Sequence, residues 1–351
     1  MRICIIGLPS SGKSTVFRAL TGTSPTLPQA ATGVAVRVPD SRVDTLSKLY
    51  NPKKTTYASV EYVDLGGAAG LRKDAGELGQ KFLSAARQAD AFVQVIDAFS
   101  LPEVALDSVI ESISVVDTEL VTADLDQCQR RLARIKKEGG KTGQVVQETR
   151  LLEEASAWLA TGQPLRLRPE ISNEETLRSF QFLSGKPIIS LVNTSEDSPG
   201  WTPDGLSADL RKLREGAWGS MVSLCAKLEV EISELSPEEA KGFLADFGIA
   251  QPARERVIRE SYALLGLISF FTVGEDEVRA WTLRKDTIAQ EAARVIHSDI
   301  ARGFIRAEVC GYAATIECGN FEAAKKQNRV RLEGKEYLVQ DGDVISVRFN
   351  V

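Results

Sequence analysis

A glycine-rich stretch near the amino terminus has the residue types and the spacing of a phosphate-binding loop. It reads Gly-Leu-Pro-Ser-Ser-Gly-Lys-Ser-Thr and matches the pattern Gly-x4-Gly-Lys-Ser. In such a loop, backbone N–H groups surround the β-phosphate, the lysine contacts the β- and γ-phosphates, and the serine hydroxyl binds Mg²⁺. We therefore expect Lys13 to be catalytic and Ser14 to be a metal ligand. The full set expected to bind phosphate is Gly7, Pro9, Ser10, Ser11, Gly12, Lys13, Ser14 and Thr15.

A second candidate element, Asp64-Leu65-Gly66-Gly67, follows a short apolar run. It matches the D-x-x-G element of regulatory nucleotide hydrolases, in which the aspartate reaches magnesium through water and the last glycine N–H contacts the γ-phosphate. We therefore expect Asp64 to bind the metal ion through water and Gly67 to take part in catalysis. Ala68 comes next, and a methyl group cannot orient an attacking water. Intrinsic hydrolysis is expected to be slow, because positioning of the γ-phosphoryl group is incomplete.

Two further segments are candidates for recognising a base. Guanine-specific sites use Asn-Lys-x-Asp, but this chain has Asn193-Thr194-Ser195-Glu196. The extra methylene of glutamate displaces the carboxylate by about 1.5 Å, which spoils bidentate pairing with guanine. Strong preference for GTP is therefore not expected, and both ATP and GTP stay open. Cys225-Ala226-Lys227 resembles the Ser-Ala-Lys loop that closes over a base, so the expected base-binding residues are Asn193, Thr194, Glu196, Cys225, Ala226 and Lys227.

These segments follow short apolar runs that are typical of buried strands. The runs occupy residues 3–6, 34–38, 60–63, 91–96, 187–192 and 221–224. Helical stretches separate them, so the pattern predicts a doubly wound α/β sheet. Ligands of such sheets bind at the carboxyl ends of the strands, where the candidate residues lie.

A helical hairpin is predicted between residues 103 and 184. Val121, Leu125, Cys128, Leu132 and Ile135 recur at alternating steps of four and three, Gly139-Gly140 ends the helix, and a second helix follows Gly143. Six cations lie near its turn: Arg130, Arg131, Arg134, Lys136, Lys137 and Lys141. A solvated helix face is the favoured interpretation of these cations. The alternative is an RNA or ribosome contact.

The remaining quarter of the chain, from about residue 267, has a different pattern. Short alternating stretches at 269–272, 279–283, 329–332, 337–339 and 344–349 accompany one helical segment at 289–296. We expect a small mixed sheet packed on one helix.

Composition limits the function classes. The chain has 351 residues and a formal net charge of −5, which argues against coating nucleic acid by bulk charge. Five scattered cysteines fit neither zinc sites nor a disulfide framework. The sequence has neither a signal peptide nor a membrane span, so we expect a cytoplasmic protein.

The whole chain resembles the YchF / Obg-like ATPase family of translation-factor-class P-loop proteins. The resemblance rests on the phosphate loop and on these further motifs: Leu78-Gly79-x-Lys81-Phe82-Leu83, Asp117-Thr118-Glu119-Leu120, Asn193-x-x-Glu196, Glu277-Val278-Arg279-Ala280-Trp281-Thr282, Gly303-Phe304-Ile305-Arg306-Ala307 and Val339-Gln340-Asp341-Gly342-Asp343-Val344. It implies a Ras-like P-loop NTPase domain over 1–265, with a coiled-coil insertion at about 103–184. It also implies a ubiquitin-like β-grasp (TGS) domain over 266–351.

The resemblance further implies Mg²⁺, binding of ATP at least as well as GTP, slow hydrolysis, and association with the ribosome or ribosomal RNA. The family's first switch carries a threonine on magnesium. The corresponding segment here, Pro28-Gln29-Ala30-Ala31-Thr32-Gly33, is shorter, and Thr32 is the nearest hydroxyl. Potassium, a ribosome or another partner are candidates for completing the hydrolytic site.

We interpret the chain as a nucleotide-dependent switch that hydrolyses ATP, with GTP as an open second substrate. The alternatives are a hydrolysis-deficient scaffold protein, favoured by Ala68 and the short first switch, and a GTP-specific GTPase. We expect a monomer with neither membrane association nor sequence-specific DNA binding.

Overall fold

The structure is a computed structural model of the chain, and it describes residues 1–23, 33–65, 77–99, 106–139, 142–196, 220–246, 249 and 251–350. Its contacts divide the chain into two units. The first comprises Met1–Val34 and Glu61–Val257, and the second comprises Ala35–Val60 and Ile258–Val351. The boundary passes through two strands, so each unit contains segments that are distant in sequence.

The described strands are β1 (Arg2–Gly7), β2 (Val34–Arg37), β3 (Lys54–Thr56), β4 (Ser59–Asp64), β5 (Ala91–Asp97), β6 (Ile188–Asn193), β7 (Ser220–Leu224), β8 (Leu267–Thr272), β9 (Glu277–Arg284), β10 (Phe304–Gly311), β11 (Arg331–Glu333) and β12 (Asp343–Phe349). The described helices are α1 (Lys13–Thr21), α2 (Ser41–Tyr50), α3 (Glu77–Arg87), α4 (Leu106–Glu138), α5 (Gly143–Leu159), α6 (Pro169–Ser172), α7 (Ala226–Glu234), α8 (Pro237–Asp246), α9 (Ala253–Leu264), α10 (Ala289–Ile296), α11 (Ser298–Arg302), α12 (Tyr312–Glu317) and α13 (Phe321–Lys326).

The first unit contains the predicted parallel sheet. Its strands lie in the order β4-β1-β5-β6-β7, and every pairing is parallel. The register places Asp64 beside Ile5, Gly7 beside Val95, and Asn193 beside both Asp97 and Leu224. The carboxyl ends of these strands therefore meet at one edge, which is where the loops that follow them can share a ligand.

The sequences of these strands are continuous apolar runs because both faces of the sheet are buried. Ile3, Ile5 and Ile6 are each about 1% exposed, and Phe92 is fully buried. The predicted fold class, a Ras-like α/β sheet with a helical insertion and a small C-terminal domain, is confirmed. Within the described residues, none of the helices combines the length and the apolar composition that crossing a bilayer requires.

The insertion forms the predicted antiparallel helical hairpin. α4 has 33 residues, so it extends for about 50 Å. The apolar seam on α4, with Val121, Cys128 and Ile135 buried, packs against Leu152 and Leu159 of α5. Two short 3-10 turns, Leu165–Leu167 and Glu175–Phe180, lead the chain back toward β6.

A buried carboxylate fixes the base of this hairpin. Asp124 accepts hydrogen bonds from the backbone N–H groups of Leu183 at 3.0 Å and Ser184 at 2.7 Å, and from the Ser184 hydroxyl at 2.8 Å. Arg87, the last residue of α3, lies 3.4 Å from the same carboxylate. Burial raises the pKa of Asp124, although these donors oppose the shift. The hydrogen bonds tie α3, α4 and the segment before β6 together.

The second unit contains the predicted small mixed sheet, in the order β11-β10-β12-β8-β9-β3. β10 is antiparallel to β11 and β12, β12 is parallel to β8, and β9 is antiparallel to β8. Ala289, Ala292 and Ala293 of α10 pack on one face of the sheet. The predicted stretch at 337–339 forms only an isolated bridge between Leu338 and Ile288.

The segment Ala35–Val60 belongs to the second unit by its contacts. β3 pairs in parallel with β9, Arg42 lies 2.7 Å from Asp341, and the Tyr50 hydroxyl accepts a hydrogen bond from the backbone N–H of Phe321 at 2.6 Å. The expected division at residues 265 and 266 assigned this segment to the first domain. That domain boundary stays a prediction. The contacts divide the chain differently at this segment, because they group it with the C-terminal residues.

Candidate nucleotide-binding site

The phosphate loop lies between β1 and α1, as its sequence predicts. Gly7 has φ +146°, and a Cβ on it would lie 2.4 Å from the backbone oxygen of Val95. Gly12 has φ +87°, and a Cβ on it would lie 2.3 Å from Nδ2 of Asn193. Both positions therefore require glycine, because a side chain would be strained by its backbone and would also collide with a neighbour.

Lys13 is held inside this loop. The residue is 8% exposed, and Nζ donates a hydrogen bond to the backbone oxygen of Leu8 at 2.6 Å. Burial lowers the pKa of Lys13, and the nearby charge of Asp64 partly offsets that effect. A main-chain oxygen of the loop thus holds the ammonium group at the N-terminus of α1, where a lysine and backbone N–H groups together can receive terminal phosphates.

Ser14 and Asp64 bring two oxygen donors together. β4 runs beside β1, and the Ser14 hydroxyl donates to Oδ2 of Asp64 at 3.0 Å. Hydroxyl and carboxylate oxygens are the ligands that Mg²⁺ prefers, so these residues fit the ion. Two other residues predicted to act here, Thr32 and Gly67, lie outside the described residues.

Asn193 joins the phosphate loop to the predicted base loop. It is 4% exposed at the end of β6, and its Nδ2 donates to the backbone oxygen of Ser11 at 3.2 Å. Its Oδ1 accepts a hydrogen bond from the backbone N–H of Ala226 at 3.2 Å. One side chain therefore fixes the distance between the two loops.

A cavity of about 280 Å³ opens beside this asparagine. Glu196 and Lys227 stand on its wall, with Nζ of Lys227 3.2 Å from Oε1 of Glu196. This hydrogen bond raises the pKa of Lys227. Cys225 is buried, and burial raises the pKa of its thiol. The cavity brings together all six residues predicted to bind a base, and its full lining is Gly12, Thr15, Phe99, Asn193, Thr194, Ser195, Glu196, Cys225, Ala226 and Lys227.

Phe99 lines this cavity although the sequence reasoning missed it. The residue is 45% exposed, and its backbone N–H donates to Oδ1 of Asp97 at 3.1 Å. A large aromatic residue just beyond the carboxyl end of a central strand was the available signal, because ligands of such sheets bind there. Its exposed ring offers a surface on which a purine can stack.

The other residues of the predicted phosphate set differ in exposure. Pro9 and Ser10 are exposed at the top of the loop, and Ser10 has φ +61°. Ser11 is buried, and its hydroxyl has no hydrogen-bond partner among the described residues. Thr15, on the first turn of α1, extends from the loop to the cavity.

A phosphate loop after the first strand of a parallel sheet, with Asp64 on the neighbouring strand and a purine-sized cavity at the same edge, defines a P-loop nucleotide-binding protein of the Ras-like class. Residues 2–149 match a family described as 50S ribosome-binding GTPases. Residues 267–350 match the YchF-GTPase_C family, which is described as a protein of unknown function.

Full-length relatives share the same organisation. The chain is 40% identical over 364 aligned positions to a ribosome-binding ATPase YchF of Bacillus subtilis, covering 99% of this chain and 98% of the relative. It is 36% identical to the ribosome-binding ATPase YchF of Escherichia coli O157:H7, with the same coverage. The solved structure of a Schizosaccharomyces pombe YchF GTPase matches with a TM-score of 0.82 and 29% identity over 99% of this chain and 97% of that one. The chain therefore belongs to the YchF family, which confirms the resemblance seen in its motifs.

Proposed function

We propose that the protein binds and slowly hydrolyses ATP with Mg²⁺ and couples the bound nucleotide to association with the ribosome. The observation that carries this proposal is the side chain of Asn193, which joins the phosphate loop to the base cavity through hydrogen bonds of 3.2 Å to Ser11 and to Ala226. The two loops can therefore hold the phosphates and the base of one nucleotide.

Each residue of the phosphate region has a distinct role in the proposed reaction. Lys13 holds the β- and γ-phosphates and stabilises the negative charge that develops during transfer. Ser14 and Asp64 would hold Mg²⁺, Asp64 through water, and the ion would neutralise charge on the phosphate oxygens. The Gly67 N–H would contact the γ-phosphate, and Ala68 has no group that could orient the attacking water, which would keep the intrinsic rate low. Thr32 is the proposed first-switch ligand, and potassium or the ribosome is proposed to complete the site.

The proposed base preference depends on the walls of the cavity. Glu196 occupies the position where guanine-specific sites have aspartate, and its longer side chain is paired with Lys227 at 3.2 Å. Phe99 offers a stacking surface that does not depend on the 6-substituent of a purine. We therefore propose that ATP binds at least as well as GTP.

The two bacterial relatives named above carry ribosome binding in their names, and we extend it to this chain as part of the proposal. Cations near the turn of the helical hairpin support it. Arg130 is paired with Asp126 at 2.5 Å and Arg131 with Glu148 at 2.7 Å. The other described cations of this group, Arg134, Lys136 and Lys137, are exposed and make no ion pair within the described residues. A solvated surface explains the paired cations well, whereas the other three suit ribosomal RNA. A cytoplasmic location follows from such a partner.

Phosphate release tests the hydrolytic part. We would measure release from ATP and from GTP by the full-length protein, with and without ribosomes and in sodium or potassium buffer, beside Lys13→Ala. Release above that variant, increased by ribosomes or potassium, is the expected result. Release equal to Lys13→Ala in every condition would favour the scaffold alternative. Equilibrium titration with fluorescent ADP and GDP tests the base preference, and tight GDP binding with which ATP fails to compete would favour a GTP-specific enzyme.

A further inference from the structure

A second cavity, of about 260 Å³, lies between α3 and α4 in the first unit. We call it the α3–α4 groove, and it is bounded by Gly79, Phe82 and Leu83 of α3 and by Glu119, Ala123 and Asp126 of α4. Two of the motifs that carry the family resemblance, residues 78–83 and 117–120, supply five of its lining residues. The nucleotide cavity is lined by neither motif, so nucleotide chemistry does not account for them.

The floor of the α3–α4 groove is apolar. Leu120 lies in the core beneath it and is 2% exposed. Phe82, Leu83 and Ala123 pack against the same core and are half-buried. Gly79 widens the entrance, because no atom lies within 4 Å of the position that its Cβ would take. The volume of about 260 Å³ lies below the range of roughly 300–1,000 Å³ that small-molecule sites occupy, so a few apolar side chains of a partner protein suit the groove better.

The rim of the α3–α4 groove is acidic. Glu119 is exposed and makes no ion pair within the described residues. Asp126 follows it on α4 by two helical turns, a rise of about 10.5 Å. The side chain of Asp126 is 57% exposed, and its pair with Arg130 at 2.5 Å lies in solvent, so this pair contributes little and the carboxylate can accept a second cation. Two carboxylates thus flank the apolar floor.

Charge and shape together select the occupant of this groove. The two carboxylates repel the phosphate groups of a nucleic acid, which disfavours RNA here. A protein helix fits when its apolar side chains at positions i+3 and i+4 enter the groove and its lysine or arginine side chains at i and i+7 meet Glu119 and Asp126. Such a helix is cationic and amphipathic, and it complements both the rim and the floor.

We propose that the α3–α4 groove binds a cationic amphipathic helix of a ribosomal protein. The inference deepens the proposed ribosome association and rests on it, because a ribosome offers basic protein surfaces as well as RNA. It assigns a protein contact to the base of the helical hairpin, whereas the exposed cations nearer the turn suit ribosomal RNA.

Co-sedimentation of the full-length protein with ribosomes, over a range of ribosome concentrations and at saturating ATP, tests the proposal. Glu119→Lys reverses the charge of the rim, and Gly79→Leu fills the entrance. The matched control for the first variant is Glu153→Lys, because Glu153 is an exposed glutamate of α5 with no ion pair within the described residues. The matched control for the second is Gly242→Leu, because Gly242 is a glycine of α8 with no atom within 4 Å of an added Cβ.

Thermal unfolding of each variant checks that the fold is retained. Gly79→Leu and Gly242→Leu should be at least as stable as the wild type, because glycine is a poor helix former and the added Cβ meets open space at both positions. A loss of ribosome binding by Gly79→Leu therefore does not arise from unfolding.

Both groove variants are expected to bind ribosomes about tenfold more weakly than the wild type, because each removes one of the two kinds of contact. Both controls should match the wild type. The proposal is overturned if either groove variant binds ribosomes as its control does. Tighter binding by Glu119→Lys would also overturn it, since that sign indicates an RNA phosphate at the rim. So would a wild-type dimer in sedimentation equilibrium that Gly79→Leu dissociates, since a second copy of this chain would then fill the groove.

The wild type and ATP hydrolysis without ribosomes separate this inference from the proposed function. If the wild type binds ribosomes and the groove variants bind them equally well, the groove is not a ribosome contact and the proposed function stands. If the wild type does not bind ribosomes, the proposed association itself fails and the inference falls with it. Glu119→Lys should hydrolyse ATP without ribosomes at the wild-type rate, and a slower rate would assign its loss of binding to the nucleotide site and overturn the proposal.

Discussion

The phosphate loop and a cluster of side chains in the second unit each contain a buried charge, but the two charges have opposite surroundings. In the loop, Lys13 is 8% exposed and is held by a main-chain oxygen. Two further positions of the loop, Gly7 and Gly12, accept only glycine. The contact of Lys13 is with a neutral oxygen, so its charge is available to a phosphate.

The charge in the second unit is already paired. Glu308 of β10 is 4% exposed, is paired with Arg348, and lies 2.9 Å from Nζ of Lys325. We call these three residues the Glu308 cluster. Burial alone would raise the pKa of Glu308, but the hydrogen bonds from Lys325 and Arg348 outweigh it and lower the pKa. A buried charge with a neutral partner can receive a ligand, whereas a buried charge with charged partners contributes to the fold.

This difference predicts which changes each region tolerates. The loop should lose function when a single methyl group is added, because its atoms are already in contact. The Glu308 cluster should instead lose stability when its charge is removed, because its members neutralise one another.

Gly12→Ala should greatly weaken nucleotide binding by the phosphate loop. The added Cβ would lie 2.3 Å from Nδ2 of Asn193, whose amide is held by Ser11 and Ala226 and cannot easily move. We expect at least about a 100-fold loss of ADP affinity, which is about 2.7 kcal/mol, by isothermal titration calorimetry. Gly143→Ala is the control, because no atom lies within 4 Å of a Cβ at that position. Equal affinities for the two variants would show that the contact with Asn193 does not matter.

Glu308→Gln should lower the stability of the protein and leave nucleotide binding unchanged. Removing the carboxylate charge leaves Lys325 and Arg348 without a counter-charge, so the free energy of unfolding should fall by about 1 kcal/mol in urea denaturation. ADP affinity should match that of the wild type, because Glu308 lines no part of the nucleotide cavity. A variant as stable as the wild type would show that the Glu308 cluster does not support the fold.

The pH dependence of that stability difference has a definite sign. The pKa of Glu308 is lowered in the folded protein, so its ionisation stabilises the fold above the ordinary value of 4.5. This contribution should disappear as the pH falls through the lowered pKa, and wild type and Glu308→Gln should then become equally stable. A difference that grows as the pH falls would contradict the assignment of the carboxylate as ionised.

The sequence was informative where chemistry and spacing constrain each other. The glycine and lysine positions of the phosphate loop, the strand before Asp64 and the base segment at Asn193 could be predicted, because buried parallel strands are continuous apolar runs. The seam of the helical hairpin was equally clear from its alternating period.

Residues that act through tertiary contacts could not be predicted in the same way. β10 was missed because Phe304–Gly311 has two exposed residues followed by four buried ones, which hides the period of a strand. The contacts of Ala35–Val60 with C-terminal strands depend on pairings more than 200 residues apart, such as Thr56 with Glu277. Phe99 carries no motif, and its place just beyond the carboxyl end of β5 is a weak signal until the cavity that it lines is seen.

A weak effect is expected at Lys227, the cation that lines the nucleotide cavity. Its side chain is 71% exposed, and its contact with Glu196 at 3.2 Å is therefore screened by solvent. Lys227→Met should leave the urea midpoint unchanged and should alter ADP affinity by less than about twofold. Glu196→Asp is the informative comparison, because it shortens the carboxylate without removing its charge and should shift the ratio of GDP to ADP affinity upward. If Lys227→Met weakened ADP binding as strongly as Gly12→Ala, the base loop would depend on an exposed charge, and the contrast between the two regions would not hold for the whole nucleotide site.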